Sequence, residues 1–217
     1  VQHAGAKGLS VHITTGKTDI SPETLASVLP FIKHLQIGIQ NNRLFGDHPR
    51  TYIQQLQSFF ELALQWNIKP GANVIVTKSA VERLDYFIST LVAIGFDRFI
   101  LLRYKPPRSI NRWTDECPEL HQMEKLHDTI DKIIQRHPRI NIRLDCALSF
   151  VQRRLSRQTT IQYGIKGCVA ADRILALAPD GSVYPCSQLV HPKCYAGNLL
   201  ETAPHLLWDT SKVLRRY

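Results

Sequence analysis

The feature that most constrains this sequence is a hydrophobic period that switches between about two and about 3.6 residues, repeatedly, along its first two-thirds. Leu9-Ser10-Val11-His12-Ile13-Thr14 alternates as a half-buried strand does, and Thr15-Gly16-Lys17 turns the chain. Ser21-Pro22 then opens a helix whose Leu25, Val28, Leu29 and Ile32 share one face. Leu35 to Gln40 reads as a second strand and 41–49 as a polar loop, before a helix striped by Ile53, Leu56, Phe60 and Leu64 and broken at Pro70-Gly71. Asn73 to Thr77 is a third strand, followed by a helix carrying Leu84, Ile88 and Leu91 that Gly95 closes. Arg98 to Tyr104 is a fourth strand, Pro118 begins a long helix with Leu120, Met123, Ile130 and Ile134 inward, and Ile140 to Leu144 is a fifth strand. Strand–helix–strand units at these spacings demand parallel crossover connections, so the chain is α/β, with a barrel or an open parallel sheet. Five strands do not close an eight-stranded barrel.

The pattern changes after Cys146. Residues 151–167 are polar and basic, with Arg153, Arg154 and Arg157 among them. Arg173 to Ala178 and Ser182 to Tyr184 are then short strands joined by Pro179-Asp180-Gly181, which predicts a hairpin. A last helix is expected from Ala203 to Leu214, burying Leu206, Leu207 and Val213. These shifts place a domain boundary near residue 150, giving domains over 1–149 and 150–217.

No apolar run in the 217 residues approaches the ~18 needed to cross a bilayer, and no signal peptide opens the chain, so a cytoplasmic protein without a membrane partner is expected. The net charge of +9 comes from scattered Lys and Arg, which predicts a solvated basic surface rather than a nucleic-acid interface. No Walker-type loop, Gly-x-Ser-x-Gly elbow or His-Glu-x-x-His helix is present, which leaves conventional kinase and hydrolase chemistry without a foothold.

Five cysteines, an odd number, in such a chain point to metal or redox chemistry rather than a disulfide framework. Cys146, Cys168, Cys186 and Cys194 gather in the last third, and thiolates brought together by loops and a tight hairpin suit a soft metal or an iron–sulfur cluster. Cys168 is followed by twelve residues, Gly181, four residues and Cys186, so two thiolates flank a hairpin whose glycine permits the turn. A rival reading is a non-catalytic binding or scaffold protein in which Cys168, Cys186, Cys194 and His191 hold structural zinc. Cys117, before Pro118, reads as structural.

The stretch from Gly167-Cys168 through Asp180-Gly181-Ser182-Val183-Tyr184-Pro185-Cys186 to Gly197-Asn198-Leu199 resembles the opening of the SPASM or twitch module of radical S-adenosylmethionine enzymes. The resemblance implies a partial (βα) barrel of parallel strands followed by a small Cys-bearing β-hairpin plus helix module. It also implies an auxiliary 4Fe-4S cluster, with Cys168 and Cys186 as ligands, Cys146 third and Cys194 a further candidate. In such enzymes a reduced cluster cleaves S-adenosylmethionine to a 5′-deoxyadenosyl radical that abstracts hydrogen from a small-molecule or peptide substrate. By the same resemblance Thr14 and Gln40, at the ends of the first two strands, Arg50 before the next helix, and Asn73, with Thr77 and Lys78 beyond it, are cosubstrate-binding candidates. Neither the family's Cys-x-x-x-Cys-x-x-Cys nor its Gly-Gly-Glu-type strand occurs here. The chain then corresponds to a fragment starting at the third barrel strand, partnered by a missing N-terminal part of the same protein.

Overall fold

The structure is a computed structural model and describes residues 1–105, 114–148 and 167–216. It divides into two units, Val1–Gly164 and Ile165–Tyr217. The boundary expected at residue 150 falls within 149–166, outside the described residues, as do Arg153, Arg154 and Arg157.

After a short helix α1 (Gln2–Ala6), the first unit runs β1 (His12–Thr15), α2 (Pro22–Val28), β2 (His34–Ile39), α3 (Asn41–Leu44), α4 (Pro49–Gln65), β3 (Gly71–Val76), α5 (Lys78–Glu82), α6 (Leu84–Ile94), β4 (Arg98–Arg103), α7 (Leu120–Arg136) and β5 (Asn141–Leu144). Several helix starts have a local cause. The Ser21 hydroxyl accepts from the Thr24 N–H at 3.2 Å to cap α2, Thr77 caps α5 through the Ala80 N–H, and Glu119 with Gln122 forms a capping box on α7. Gly95 ends α6 at φ +121, with Phe60 packed so close that a Cβ there would meet the ring at 2.8 Å.

All five strands are parallel and lie in chain order, β1-β2-β3-β4-β5. Right-handed crossovers in an unreversed order carry every helix to the same face, the arrangement of a barrel opened along one seam rather than of a doubly wound sheet. Burial agrees. Leu35, Ile37, Ile39, Ala72, Val74, Val76, Phe99 and Leu101 are buried with Leu25, Leu56, Phe59, Phe87, Ile88 and Leu126 of the helices in one core. The alternate strand positions, among them Thr14, Gln36, Gly38, Asn73 and Ile100, face away from that core.

Several expectations shift. The loop expected over 41–49 opens with α3, and α4 buries Tyr52, Phe59 and Ala63 beside Leu56 and Phe60 while Leu64 is half exposed. In α7 the buried face is Gln122, Met123, Leu126 and Ile133, and Leu120, the first helical residue, is 75% exposed.

The second unit is a three-stranded antiparallel sheet, β6 (Ala176–Leu177), β7 (Ser182–Tyr184) and β8 (Gly197–Asn198), in that order, followed by α8 (Pro204–Thr210). The β6–β7 hairpin turns at Gly181 with φ +84, and Asp180 accepts from the Ser182 N–H at 3.0 Å. Strand β8 was not expected. Asn198 secures it by donating to the Asp180 carbonyl at 2.9 Å and accepting from the Leu200 N–H at 2.8 Å. Helix α8 is shorter than predicted, with Leu207 buried and Leu206 half exposed, and the chain tightens into a 3-10 turn that buries Leu214.

Candidate functional site

Ligands of open parallel sheets bind beyond the carboxyl ends of the strands, where the backbone carbonyls point outward and the loops are free to vary. Here amide side chains lace those ends together. Gln40, directly after β2, donates through Nε2 to the Gly16 carbonyl beyond β1 at 3.0 Å. Its backbone N–H donates to the hydroxyl of Tyr52 at 3.0 Å, and burial pushes that phenol up. Asn41 extends the lacing to β3, its Nδ2 reaching the Ile75 carbonyl at 2.9 Å and Thr77 Oγ1 at 3.2 Å. Sequence reasoning put Asn41 in a loop and missed it; a pair of amides, Gln40-Asn41, directly after the strand's last apolar residue was the available signal.

Thr14 and Asn73 lie on the face turned away from the helices. Register aligns Thr14 with Gln36 and Gln36 with Gly71, and one step up the sheet it aligns Gly38 with Asn73. Asn73 is 9% exposed, yet its Oδ1 has no hydrogen-bond partner among the described residues, and the same holds for Oε1 of Gln36. Gly71 explains how Gln36 leans across, since a Cβ there would meet the Gln36 Cδ at 3.6 Å and the Arg98 carbonyl oxygen at 3.3 Å. Buried orphan acceptors are costly unless something donates to them. Arg50 lies exposed in the first turn of α4, away from that lacing. The arginine drawn into the network is Arg43, which donates to Gln55 Oε1 at 2.5 Å and lies 4.5 Å over the Tyr52 ring.

The cysteines separate by unit. Cys146 follows β5, its thiol donating to Asp145 Oδ1 at 3.4 Å. Burial pushes the Asp145 carboxyl up, but the hydrogen bond and charge of Lys105, 2.7 Å away, and the Ala147 N–H outweigh it and hold the group below the ordinary carboxylate value. In the second unit, topology gathers the other three. The Ala171 N–H donates to the Pro185 carbonyl at 3.0 Å, tying the segment after Cys168 to the residue before Cys186. The β7–β8 ladder, Val183 opposite Gly197, runs antiparallel, so Cys186 after β7 and Cys194 in the 3-10 turn before β8 both fall beyond its end away from Gly181. Cys168, Cys186 and Cys194 thus lie toward the end of the small sheet opposite the Gly181 turn. Among the described residues no three His, Cys, Asp or Glu side chains converge as a finished metal site. The donor set nonetheless fits an iron–sulfur cluster, because it is thiolate-rich and carried by irregular segments at one sheet end.

An unreversed parallel half-barrel followed by a small cysteine-bearing antiparallel sheet is a fold this chain shares with radical S-adenosylmethionine enzymes, to which it is similar. Among curated proteins it is 23% identical over 225 residues to mycofactocin maturase MftC of Mycolicibacterium smegmatis, covering 99% of this chain and 55% of the maturase. Among solved structures, SuiB of Streptococcus suis superposes at a TM-score of 0.70 with 19% identity, over 95% of this chain and 50% of SuiB. The enzyme anSMEcpe, solved with bound AdoMet, gives 0.71 with 11% identity, over all of this chain and 61% of its own. No family model matches the chain. The chain therefore spans about half the length of the relatives it matches. No helix among the described residues is long and apolar enough to cross a membrane.

Proposed function

We propose that this chain is the cosubstrate-binding and auxiliary-cluster portion of a radical S-adenosylmethionine enzyme that modifies a peptide in a reducing, cytoplasmic setting. The observation that carries the reading is the orphan acceptor of Asn73, nine-tenths buried on the open face of a parallel sheet whose carboxyl ends are laced by Gln40 and Asn41. S-adenosylmethionine, bound with a reduced cluster from a part of the protein outside this chain, would supply hydrogen-atom abstraction. The chain's own residues bind and orient. Gln40 and Asn41 hold the strand ends in one register, Asn73 offers an oxygen to an N–H donor of the cosubstrate, and Thr14 borders the same face. Arg50 is the candidate for the cosubstrate carboxylate and Arg43 braces the loop behind it. Cys168 and Cys186 are assigned as auxiliary 4Fe-4S ligands, with Cys146 and Cys194 as further candidates. Peptide substrates are suggested by relatives, since SuiB has been solved with its precursor peptide SuiA and anSMEcpe with the Kp18Cys peptide.

Anaerobic reconstitution with iron and sulfide tests the cluster. Brown protein with stoichiometric iron and sulfide, lost in Cys186→Ala, is the expected result; colourless protein holding zinc on Cys168, Cys186, Cys194 and His191 would establish the scaffold reading instead. Calorimetric titration with S-adenosylmethionine tests the open face, with binding weakened several-fold in Asn73→Ala.

A further inference from the structure

The open face has a second polar zone, toward the amino ends of the strands. His34 of β2, Arg98 of β4 and Arg143 of β5 share the face of Asn73, because Gly38 aligns with Asn73, Asn73 with Ile100 and Ile100 with Arg143, and side chains two apart on a strand point the same way. Gly71 makes their meeting possible. With no side chain on β3 at that point, the Arg98 guanidinium reaches across to within 3.4 Å of His34 Nδ1 and also donates to the Lys69 carbonyl. His12 completes the zone, its ring edge-on to His34 at 4.5 Å between centroids.

The nearby carboxylate is Asp97, bound through Oδ2 by Lys69 at 2.6 Å and with Oδ1 3.9 Å from Arg98 Nε. Against that one carboxylate stand Lys69, Arg98 and Arg143, a surplus of positive charge. Burial, and then the charges of His12, Arg98, Lys33 and Arg143, hold the His34 imidazole below its ordinary value, the response of a base among uncompensated cations. Two residues above His34 on β2, about 6–7 Å, comes the orphan acceptor of Gln36, and that of Asn73 lies a further step up, level with Arg143. The first span equals the reach of about two residues of extended peptide. The face therefore offers donors and positive charge where the Arg98 guanidinium meets His34, and an acceptor two residues above His34.

We propose that this zone seats a carboxylate of the substrate peptide on His34 and Arg98, within the field of Arg143 on the neighbouring strand, while a backbone N–H about two residues away donates to Gln36. The assignment rests on the peptide-modifying reading above and narrows it to substrates that carry an acidic side chain or a free C-terminus near the reacting residue. Arg98 and His34 define the site's base, and Arg143 is a specificity determinant on the neighbouring strand.

The test follows the His34 imidazole by NMR in the 217-residue chain at constant ionic strength. Four probes are titrated: N-acetyl-Gly-Glu amide and N-acetyl-Gly-Gln amide, N-acetyl-Gly-Gly free acid and N-acetyl-Gly-Gly amide. A seated carboxylate raises the His34 pKa by about one unit, as a close opposite charge does. A rise with the Gly-Glu probe alone assigns an acidic side chain, and a rise with the Gly-Gly acid alone assigns a chain terminus. Arg143→Gln, an exposed strand position, removes most of the probe-induced rise without disturbing the core. Equal responses to acid and amide partners, a rise matched by sodium chloride, or a full rise retained in Arg143→Gln overturns the proposal. Reconstitution is scored separately. Iron-loaded protein whose His34 does not respond defeats only the carboxylate site, and carboxylate binding by protein that never acquires iron defeats only the enzyme reading.

Discussion

The two units of this chain solve the same problem with unequal means. Across Val1–Gly164, buried leucines, isoleucines, valines and phenylalanines from five strands and the covering helices form one continuous core. Across Ile165–Tyr217, the buried apolar side chains among the described residues are Ala170, Val183, Leu207 and Leu214. A segment of that size with so little apolar burial needs another cross-link to outweigh the entropy of ordering it, and a bound metal or cluster is the usual one. The three cysteines at one end of the small sheet are the residues there whose chemistry could supply such a cross-link. The first unit, by contrast, is held by burial and is free to leave one sheet face polar.

That contrast is open to attack, most forcefully through the large core. Leu56→Ala on α4, at a site with no exposure, should cost about 2–5 kcal/mol, read as a lowered urea midpoint of the first unit. Iron and sulfide should act on the other side. Reconstitution should slow hydrogen exchange across β6–β8 by the equivalent of about 2–3 kcal/mol while leaving β1–β5 unchanged, and chelation should reverse it. Equal protection of both units in the metal-free protein would break the comparison. Gly181→Ala should cost about 1–3 kcal/mol in the second unit. At φ +84 its new Cβ would meet Asn198 Oδ1 at 2.5 Å, so loss of β6–β8 amide protection is the readout.

Smaller effects sharpen the picture of the first unit. Because the folded-state pKa of Asp145 is held down, its contribution is present at neutral pH and disappears as pH falls through that lowered value. Urea titrations of the parent and Asp145→Asn should therefore differ at pH 7 and converge as the solution is acidified below the ordinary carboxylate range. Ser21→Ala, removing the α2 cap, should cost about 1 kcal/mol by the same measurement and leave the second unit untouched.

Where a structural cause is local, it was legible in the residues. Ser21-Pro22, Gly95 and Asp180-Gly181 read as caps and turns because each acts on its own backbone, and the Cys168-Gly181-Cys186 spacing survives as a hairpin with cysteines near one end. Gln40, Asn73 and Thr14 were placed at the strands that carry them. Asn41 was not, because its importance lies in reaching Ile75 and Thr77 on a strand more than thirty residues away. Leu120 and Leu206 were taken as buried because periodicity gives a helix an apolar face but does not say where the neighbouring surface stops.

By itself, then, the sequence determined that strands and helices alternate, where each begins and ends to within a few residues, and that thiols gather around a tight turn, since all of these follow from side-chain period and backbone stereochemistry over short spans. Period alone left a barrel segment and an open sheet as alternatives, and the resemblance carried by the cysteine segment pointed to the barrel. Only tertiary structure decided that, through strand order, because pairing β1 to β5 in sequence sends every crossover to one side and leaves the opposite face bare. That single long-range choice brings His34, Arg98 and Asn73 onto one open surface, where residues far apart in the chain acquire a common chemistry.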